Sequence, residues 1–171
     1  MPQIKIREWN EKPRTKLRFI KIGDIFCYQF SEEMFVFGQI LGKVNVGHVI
    51  QFFDIFQASP TITVEELSRA QFIGKPIIVD SYTLFDRSPV WSWQIIGHQV
   101  DFDPSPFKDL AFKWGDPNGL QFGKVWLDGR TEPKIFSREE VEDLDWEACV
   151  GSIVYNRILE EELARRGNKG V

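Results

Sequence analysis

Two histidines are the side chains of this sequence best suited to acid–base chemistry. His48 precedes the apolar run VIQFF and His98 follows WQIIG, so each is expected at the end of a strand. Either could act as the base for a cysteine nucleophile, Cys27, in an enzyme of unrecognised type. Neither a nucleophile-elbow motif nor a family-specific cysteine signature surrounds these residues. We favour the simpler interpretation, a strand-end histidine bonded to water or backbone, and predict no catalytic residue.

The carboxylates and cysteines of this sequence offer little that could hold a metal or a phosphate group. Asp101 and Asp103 share one face of an extended chain and could hold Mg²⁺, but DFDPSP is also typical of a solvated loop, which we strongly favour. The two cysteines and two histidines match no zinc spacing, and the sequence has neither an HExxH nor a CxxC motif. Walker and GxGxxG phosphate loops are also absent. We predict no metal and no cofactor.

Length and composition predict one globular domain over residues 1–171. Apolar residues make up 43% of the chain and charged residues 27%, and fifteen phenylalanines favour short strands over a leucine-rich bundle. No apolar run reaches the roughly 18 to 20 residues that span a bilayer, and MPQIKIREWN lacks the apolar segment of a signal peptide. We therefore expect a cytoplasmic protein without membrane contact, in which Cys27 and Cys149 are reduced thiols.

Charge is unevenly distributed along a chain whose net charge is -4. Residues 1–22 carry seven basic and two acidic side chains, and 1–15 is expected to form a loosely ordered basic arm. Basic residues interleaved with Trp9 and Phe19 suit single-stranded nucleic acid, so a nucleic-acid-binding accessory domain is an alternative function. The pI of about 5.3 and the lack of a known nucleic-acid motif favour instead an edge strand whose lysines discourage aggregation.

Hydrophobic alternation predicts a succession of strands joined by tight turns. In the first half of the chain, strands are predicted at 16–22, 25–30, 34–41 and 48–56, with turns at Gly23-Asp24 and Ser31–Glu33. Gly38 inside a strong strand indicates a bulge or a close backbone crossing. In the second half, strands are predicted at 77–85, 93–96 and 122–127, and the proline-rich stretch 101–120 is predicted to be a long irregular loop.

Helices are predicted in the middle and at the end of the chain. Capping boxes at Thr63–Glu66 and Ser137–Glu140 each predict a helix start, the first helix running through Ala70. A longer helix is predicted from about Glu147 to Arg166, with an apolar stripe of Val150, Ile153, Val154, Ile158 and Leu163. The fold class is therefore α+β: a mostly antiparallel, strongly bent sheet or partial barrel, with a short middle helix and C-terminal helices packed on it.

The stretch WSWQIIGH, from Trp91 to His98, combines rare residues that suit either a site or a core strand. On a strand, Trp93 and Ile95 share one face and Gln94 and Ile96 the other, and Gly97 ends the run. We expect Trp93 in the core and His98 in solvent. Trp91 fits equally well on the Trp93 face or at the rim.

Four short segments carry a resemblance to a known family: IGDIF (22–26), FGQILG (37–42), GKPIIVD (74–80) and WQIIGH (93–98). In their order and spacing they resemble the immunity protein 26 family of bacterial polymorphic toxin systems. The resemblance implies a small cytosolic protein, made beside a toxin, that binds and neutralises this toxin. It does not imply a catalytic residue.

The residues that carry the resemblance are typical of architecture, so the binding face is expected outside them. They are Gly23, Asp24, Gly38, Pro76, Asp80, Trp93, Ile95 and Gly97. If the toxin is a nuclease with a basic groove, we expect the acidic helix that carries Glu160, Glu161 and Glu162 to face it. The sequence leaves open the oligomeric state, the identity of the toxin, and the roles of the basic N-terminus and of the 101–120 segment.

Overall fold

A six-stranded sheet forms the centre of the computed structural model, which describes residues 2–167. Its strands in chain order are β1 (Ile4–Ile6), β2 (Asp24–Ser31), β3 (Met34–Val44), β4 (Gly47–Gln57), β5 (Phe72–Val79) and β6 (Trp93–Gln99). Across the sheet they lie in the order β1-β6-β2-β3-β4-β5, and every pairing is antiparallel. β1 and β5 are therefore its two edges.

A two-stranded sheet and two helices complete the fold. The strands β7 (Ala111–Gly115) and β8 (Phe122–Trp126) pair with each other, and the helices are α1 (Val64–Arg69) and α2 (Ser152–Gly167). The prediction of an α+β fold with a mostly antiparallel sheet, a short middle helix and a C-terminal helix is confirmed. Over residues 2–167 the large sheet stays open and does not close into a barrel.

Both faces of the large sheet are buried, which explains why its strands are apolar at consecutive positions. The face that bears Phe26, here called the Phe26 face, packs against α2 and against the turns around Leu17 and Phe85. The opposite face bears Ile25 and is here called the Ile25 face. It packs against α1 and Trp9 at one end and against the β7–β8 hairpin at the other. Alternation along β2 thus sends neighbouring side chains into two separate cores.

Gly38 lies where two strands approach too closely for any side chain. The pairing of β3 with β4 shifts register between Val36 and Gly38, which is the predicted bulge. A Cβ at Gly38 would lie 2.4 Å from Cζ of Phe26 and 2.5 Å from the carbonyl oxygen of Gln51. The missing side chain therefore lets the Phe26 ring lie directly against the β3 backbone.

The predicted strand at 16–22 is wrong, because a distant carboxylate stabilises a turn there. Leu17–Phe19 forms a 3-10 turn, and the Leu17 N–H donates to Asp86 Oδ2 at 3.0 Å. The Lys21 N–H then donates to Asp24 Oδ2 at 2.8 Å, and β2 begins at that aspartate. The hydrophobicity of residues 16–22 alternates as in a strand, but side-chain carboxylates that accept their backbone N–H groups hold these residues in turns.

The predicted strand at 77–85 is wrong in both of its bounds. β5 starts at Phe72, before Pro76, and tolerates this proline because β5 is an edge strand. The strand stops at Val79 because the Asp80 carboxylate accepts both the N–H and the hydroxyl of Thr83, at 3.1 and 2.6 Å. A single π-helical turn, Tyr82–Asp86, follows.

The 101–120 segment is not one irregular loop. A 3-10 turn at Ser105–Phe107 leads into β7, whose Ala111 and Phe112 are buried. The β7 pairing depends on β8, which lies beyond the prolines and glycines that dominate the local pattern. Local composition therefore predicted an irregular loop and missed the strand within it.

The C-terminal predictions are only partly right. The Ser137–Glu140 capping bonds form, but they support one 3-10 turn at Glu139–Val141 and not a helix. The long helix starts only at Ser152. The Val150 N–H donates to the Ile78 carbonyl, which holds this residue against β5 before the helix begins.

The buried stripe of α2 also differs from the predicted one. Tyr155 and Leu159 are its buried residues, whereas Ile153 is 75% exposed and Val154 is 40% exposed. The helix begins five residues later than predicted, and Tyr155 and Leu159, about one turn apart, are the buried side chains that pack on the sheet.

The first fifteen residues, expected as a loosely ordered arm, make specific contacts. β1 pairs with β6, with Ile4 opposite Gln99. The Trp9 ring meets the Phe35 ring edge-on at 5.4 Å, and Arg14 binds Asp86. Local composition could not predict these contacts, since every partner lies at least twenty residues away.

Substituting Gly38 by alanine should destabilise the protein by about 2–3 kcal/mol, because the new methyl group collides with Phe26 and with backbone. Chemical denaturation gives the free energy of unfolding. Gly151→Ala is the matched control, since a Cβ there meets nothing within 4 Å, and it should change stability by less than about 1 kcal/mol. Equal losses in both variants would contradict the close crossing.

Candidate functional site

His48 is a buried structural residue. It is 2% exposed, and its Nδ1 lies 2.6 Å from the hydroxyl oxygen of Ser81, which is also buried. Burial lowers the pKa of His48 to about 4, with a smaller contribution from Lys43. The ring is therefore neutral at physiological pH and sealed from any substrate.

Cys27 and His98 do not combine with His48 into a catalytic group. Cys27 is fully buried on the Ile25 face, and this burial raises the pKa of its thiol well above the ordinary range, so it carries no thiolate. His98 was expected in solvent, yet its side chain is 35% exposed and its Nδ1 lies 2.9 Å from Asp24 Oδ1. Each histidine thus has its own separate partner.

Asp24 does more than turn the chain. Asp24 is 5% exposed, and its carboxylate joins the end of β6, through His98, to the turn before β2, through the Lys21 N–H. Burial raises the pKa of Asp24, and these two hydrogen bonds oppose that rise. Because the two strands are neighbours, the pair fixes the register of β2 against β6.

Asp101 and Asp103 both accept hydrogen bonds from backbone N–H groups. Asp101 Oδ1 accepts the N–H of Gln3 at 2.9 Å, and Asp103 Oδ1 accepts the N–H and hydroxyl of Ser105. Within residues 2–167 no three His, Cys, Asp or Glu side chains are grouped so that they could hold a metal ion.

A groove of about 520 Å³ opens on the Ile25 face, between the elements that pack on this face of the sheet. We call it the sheet groove. Its floor contains Ile25, Gln39 and Phe53, and its walls contain Leu67, Phe72, Asp101, Phe102, Asp103 and Phe107. Asp101 and Asp103 therefore share this groove, but neither histidine is among its lining residues.

The sheet groove is aromatic inside and acidic at its rim. The Phe72 ring stacks on Phe53 at 4.9 Å, meets Phe107 edge-on at 5.8 Å, and is 36% exposed. On the floor, Gln39 Nε2 donates to Gln99 Oε1 at 3.0 Å. An aromatic wall beside two exposed carboxylates suits a protruding segment with apolar and cationic side chains.

Sequence patterns gave one clue to the sheet groove. Gln39 is the only polar residue in the run Phe35–Leu41 and is 3% exposed, and a buried polar side chain in a core strand is unusual. Phe72 gave no such signal, because its exposure depends on how far the neighbouring loop extends over the sheet.

The residues that carry the family resemblance lie mainly in the interior. Trp93 and Ile95 are each 1% exposed and belong to the core of the Phe26 face. Gly23 has a φ of +88°, which favours glycine at the turn into β2. Trp91, whose position was left open, lies outside β6 with a φ of +50° and is partly exposed.

A family model described as immunity protein 26 matches residues 21–123. The chain belongs to the immunity protein 26 family. The matched residues cover more than half of the chain, from β2 through the start of β8, and include most of the sheet groove. No curated protein and no solved structure matches the chain. No helix within residues 2–167 is long and apolar enough to cross a membrane.

The acidic helix face predicted as a partner site is partly neutralised within α2. Glu162 binds both Arg165 and Arg166. These bonds lower the pKa of Glu162 to about 2, and the bond to Arg165 makes the largest contribution. Glu160 and Glu161 are exposed. Since α2 contains three glutamates and three arginines, it presents no net acidic charge.

Acidification should destabilise the protein through His48. Because its folded-state pKa of about 4 lies below the ordinary 6.5, folding favours the neutral ring. The contribution is fully present above pH 6.5 and is lost as the pH falls towards 4, at most about 3 kcal/mol. Denaturation at several pH values should show that His48→Asn, which retains a partner for Ser81, loses less stability than the parent. His98→Asn is the control, because it removes a histidine whose ring is more exposed. Identical pH profiles for the parent and His48→Asn would contradict the role assigned to the buried His48 ring.

Proposed function

We propose that the protein binds a cognate toxin domain and neutralises it by forming a stoichiometric complex. The observation that carries the proposal is its membership of the immunity protein 26 family over residues 21–123. In this proposal the toxin is encoded by a neighbouring gene, and the complex forms in the cytoplasm of the bacterium that makes both proteins. Inhibition then requires surface complementarity and no chemistry by this chain.

The state of the titratable residues supports a binding role. His48 and Cys27 are sealed inside the fold, and His98 is held by Asp24 at a strand end. Asp101 and Asp103 accept hydrogen bonds from nearby backbone, which holds the sheet-groove rim in place. A prearranged surface of this kind binds with a smaller loss of conformational entropy.

The sheet groove is the proposed contact surface for the toxin. It combines an exposed aromatic ring, Phe72, with the carboxylates of Asp101 and Asp103, and aromatic residues are frequent hot spots of protein interfaces. The fitting partner is a basic segment of the toxin, such as the substrate groove of a nuclease. Opposite charges speed the encounter of such partners, and aromatic contacts slow their dissociation.

Titration of a fixed amount of the toxin domain with this protein should abolish toxin activity at about one molar equivalent, because each copy occupies one site. Size-exclusion chromatography with light scattering should show a complex of defined stoichiometry. Complete protection at a small fraction of an equivalent would instead show that the protein inactivates the toxin catalytically.

Removing the two carboxylates of the sheet groove should slow toxin association. In stopped-flow or surface-binding measurements, Asp101→Asn/Asp103→Asn should lower the association rate about three- to tenfold at low salt and less at high salt. Asparagine retains an acceptor for Gln3 and Ser105, so the loop is expected to keep its shape.

The matched control is Glu160→Gln/Glu161→Gln, which removes two carboxylates from α2. This pair should change the association rate less than twofold, since α2 packs on the Phe26 face, opposite the sheet groove. A slower rate in the helix variant alone would place the interface on α2. Unchanged rates in both variants would remove the charge-steered sheet groove from the proposal.

A further inference from the structure

A second groove, of about 490 Å³, lies on the side of the molecule opposite the sheet groove. We call it the basic groove. It forms where the turn at Leu17–Phe19 meets the turn at Tyr82–Asp86, and both turns pack on the Phe26 face. Its lining residues are Arg14, Lys16, Leu17, Arg18, Lys43, Asp86 and Arg87.

The basic groove concentrates positive charge in a chain whose net charge is -4. Five of its seven lining residues are basic and exposed, and Asp86 is the single carboxylate among them. Lys43 and Arg87 are distant in sequence from residues 14–18, so the fold assembles this cluster from three separate segments. Closely spaced cations repel one another unless an anion lies between them.

Asp86 organises the basic groove and leaves most of its charge unbalanced. Its Oδ1 accepts Nε and Nη2 of Arg14 at 2.9 and 2.7 Å, and its Oδ2 accepts the Leu17 N–H. The aspartate is 7% exposed and directs its bonds to this one arginine and to backbone. Lys16, Arg18, Lys43 and Arg87 remain as four cations facing the groove.

Two exposed aromatic rings flank these cations. Phe19 is 49% exposed, and the Arg18 guanidinium carbon lies 4.9 Å from its ring centroid. Tyr82 is 44% exposed, and Arg87 both lies over its ring at 5.4 Å and donates from Nε to its hydroxyl at 2.9 Å. The bond to Tyr82 holds Arg87 in place before any ligand arrives.

We infer that the basic groove binds single-stranded nucleic acid, with phosphates on its four unbalanced cations and bases stacked on Phe19 and Tyr82. Cations alone would suit any polyanion, but exposed rings beside them match the stacking surfaces that hold unpaired bases. An acidic peptide would use the cations but has no flat rings to stack on Phe19 and Tyr82. This inference reverses our expectation from the sequence, where the acidic pI disfavoured nucleic acid as a partner.

The inference does not depend on toxin binding, because the two grooves lie on opposite faces of the sheet. It is tested on the 171-residue chain alone, without toxin. Fluorescence anisotropy with a labelled twelve-nucleotide oligo-dT should show binding at low salt. Its affinity should fall with salt with a logarithmic slope of about -3, as expected for four phosphate contacts on a single strand.

Paired variants test whether the cations act as a site. Lys16→Ala/Lys43→Ala should halve the salt slope to about -1.5, since two phosphate contacts are lost. Lys5→Ala/Lys108→Ala removes the same charge outside the basic groove and should leave the slope unchanged. An equal decrease of the salt slope in both pairs would show that oligo-dT is attracted by diffuse charge, and would overturn the assignment of a binding site to the basic groove.

Substitutions at Phe19 test the stacking contact. Phe19→Leu keeps an apolar side chain without a flat ring and should weaken oligo-dT binding about tenfold, whereas Phe19→Trp should bind at least as well as the parent. Thermal melting checks that these variants of an exposed residue stay folded. Equal affinities for the leucine and tryptophan variants would overturn the stacking contact.

A labelled twelve-residue oligoglutamate peptide separates nucleic acid from an acidic protein partner. The inference predicts that the peptide binds more weakly than oligo-dT at equal salt. Tighter binding of the peptide would overturn it in favour of an acidic protein segment, and no binding of oligo-dT at low salt would overturn it outright.

Discussion

The ring of Trp93 is the contact on which the rest of the fold depends. Its centroid lies 4.4 to 5.9 Å from five other aromatic rings, those of Phe26, Tyr28, Phe52, Phe85 and Tyr155. These rings belong to β2, β4, the turn before β6, and α2, so one side chain holds four parts of the chain together. Each aromatic pair contributes about 0.5–1.5 kcal/mol beyond the burial of its surface.

The position of Trp93 also determines where binding surfaces form. β6 lies between β1 and β2, and its side chains fill both cores, Ile95 on the Phe26 face and Ile96 on the Ile25 face. With both faces filled, the sheet itself has little surface left for a partner. The sheet groove therefore forms at a gap between the elements that cover one face, and the basic groove forms between turns that cover the other.

Sequence patterns predict the structure correctly where the local pattern and the tertiary contacts agree. The start of the strand at Trp93, the bulge at Gly38 and the capping box at Thr63 follow from alternation, a glycine and a four-residue motif. Gly97, expected to end that strand, instead lies inside it, and the strand continues to Gln99. Prediction failed at Leu17, where the backbone N–H is bonded by Asp86, 69 residues away. A local pattern contains no information about such an acceptor, so a strand-like alternation became a turn.

The two grooves differ in how much of each was predictable. The carboxylates of the sheet groove were singled out as a pair, but Phe72 and Gln39 join them only through the pairing of β3, β4 and β5. In the basic groove, Lys43 and Arg87 join residues of the first twenty only after folding, and the net charge of the whole chain conceals this cluster.

Family membership and partner choice therefore depend on different residues. Most of the residues that carry the resemblance are buried or belong to tight turns, where they hold the frame and cannot touch another protein. Exposed side chains such as Phe72 and Asp101 can change without disturbing Trp93 or Gly38. A chain can thus keep the buried residues typical of the immunity protein 26 family while the exposed side chains of its grooves change to fit a different toxin. The buried residues therefore show the family, and the groove residues determine the partner.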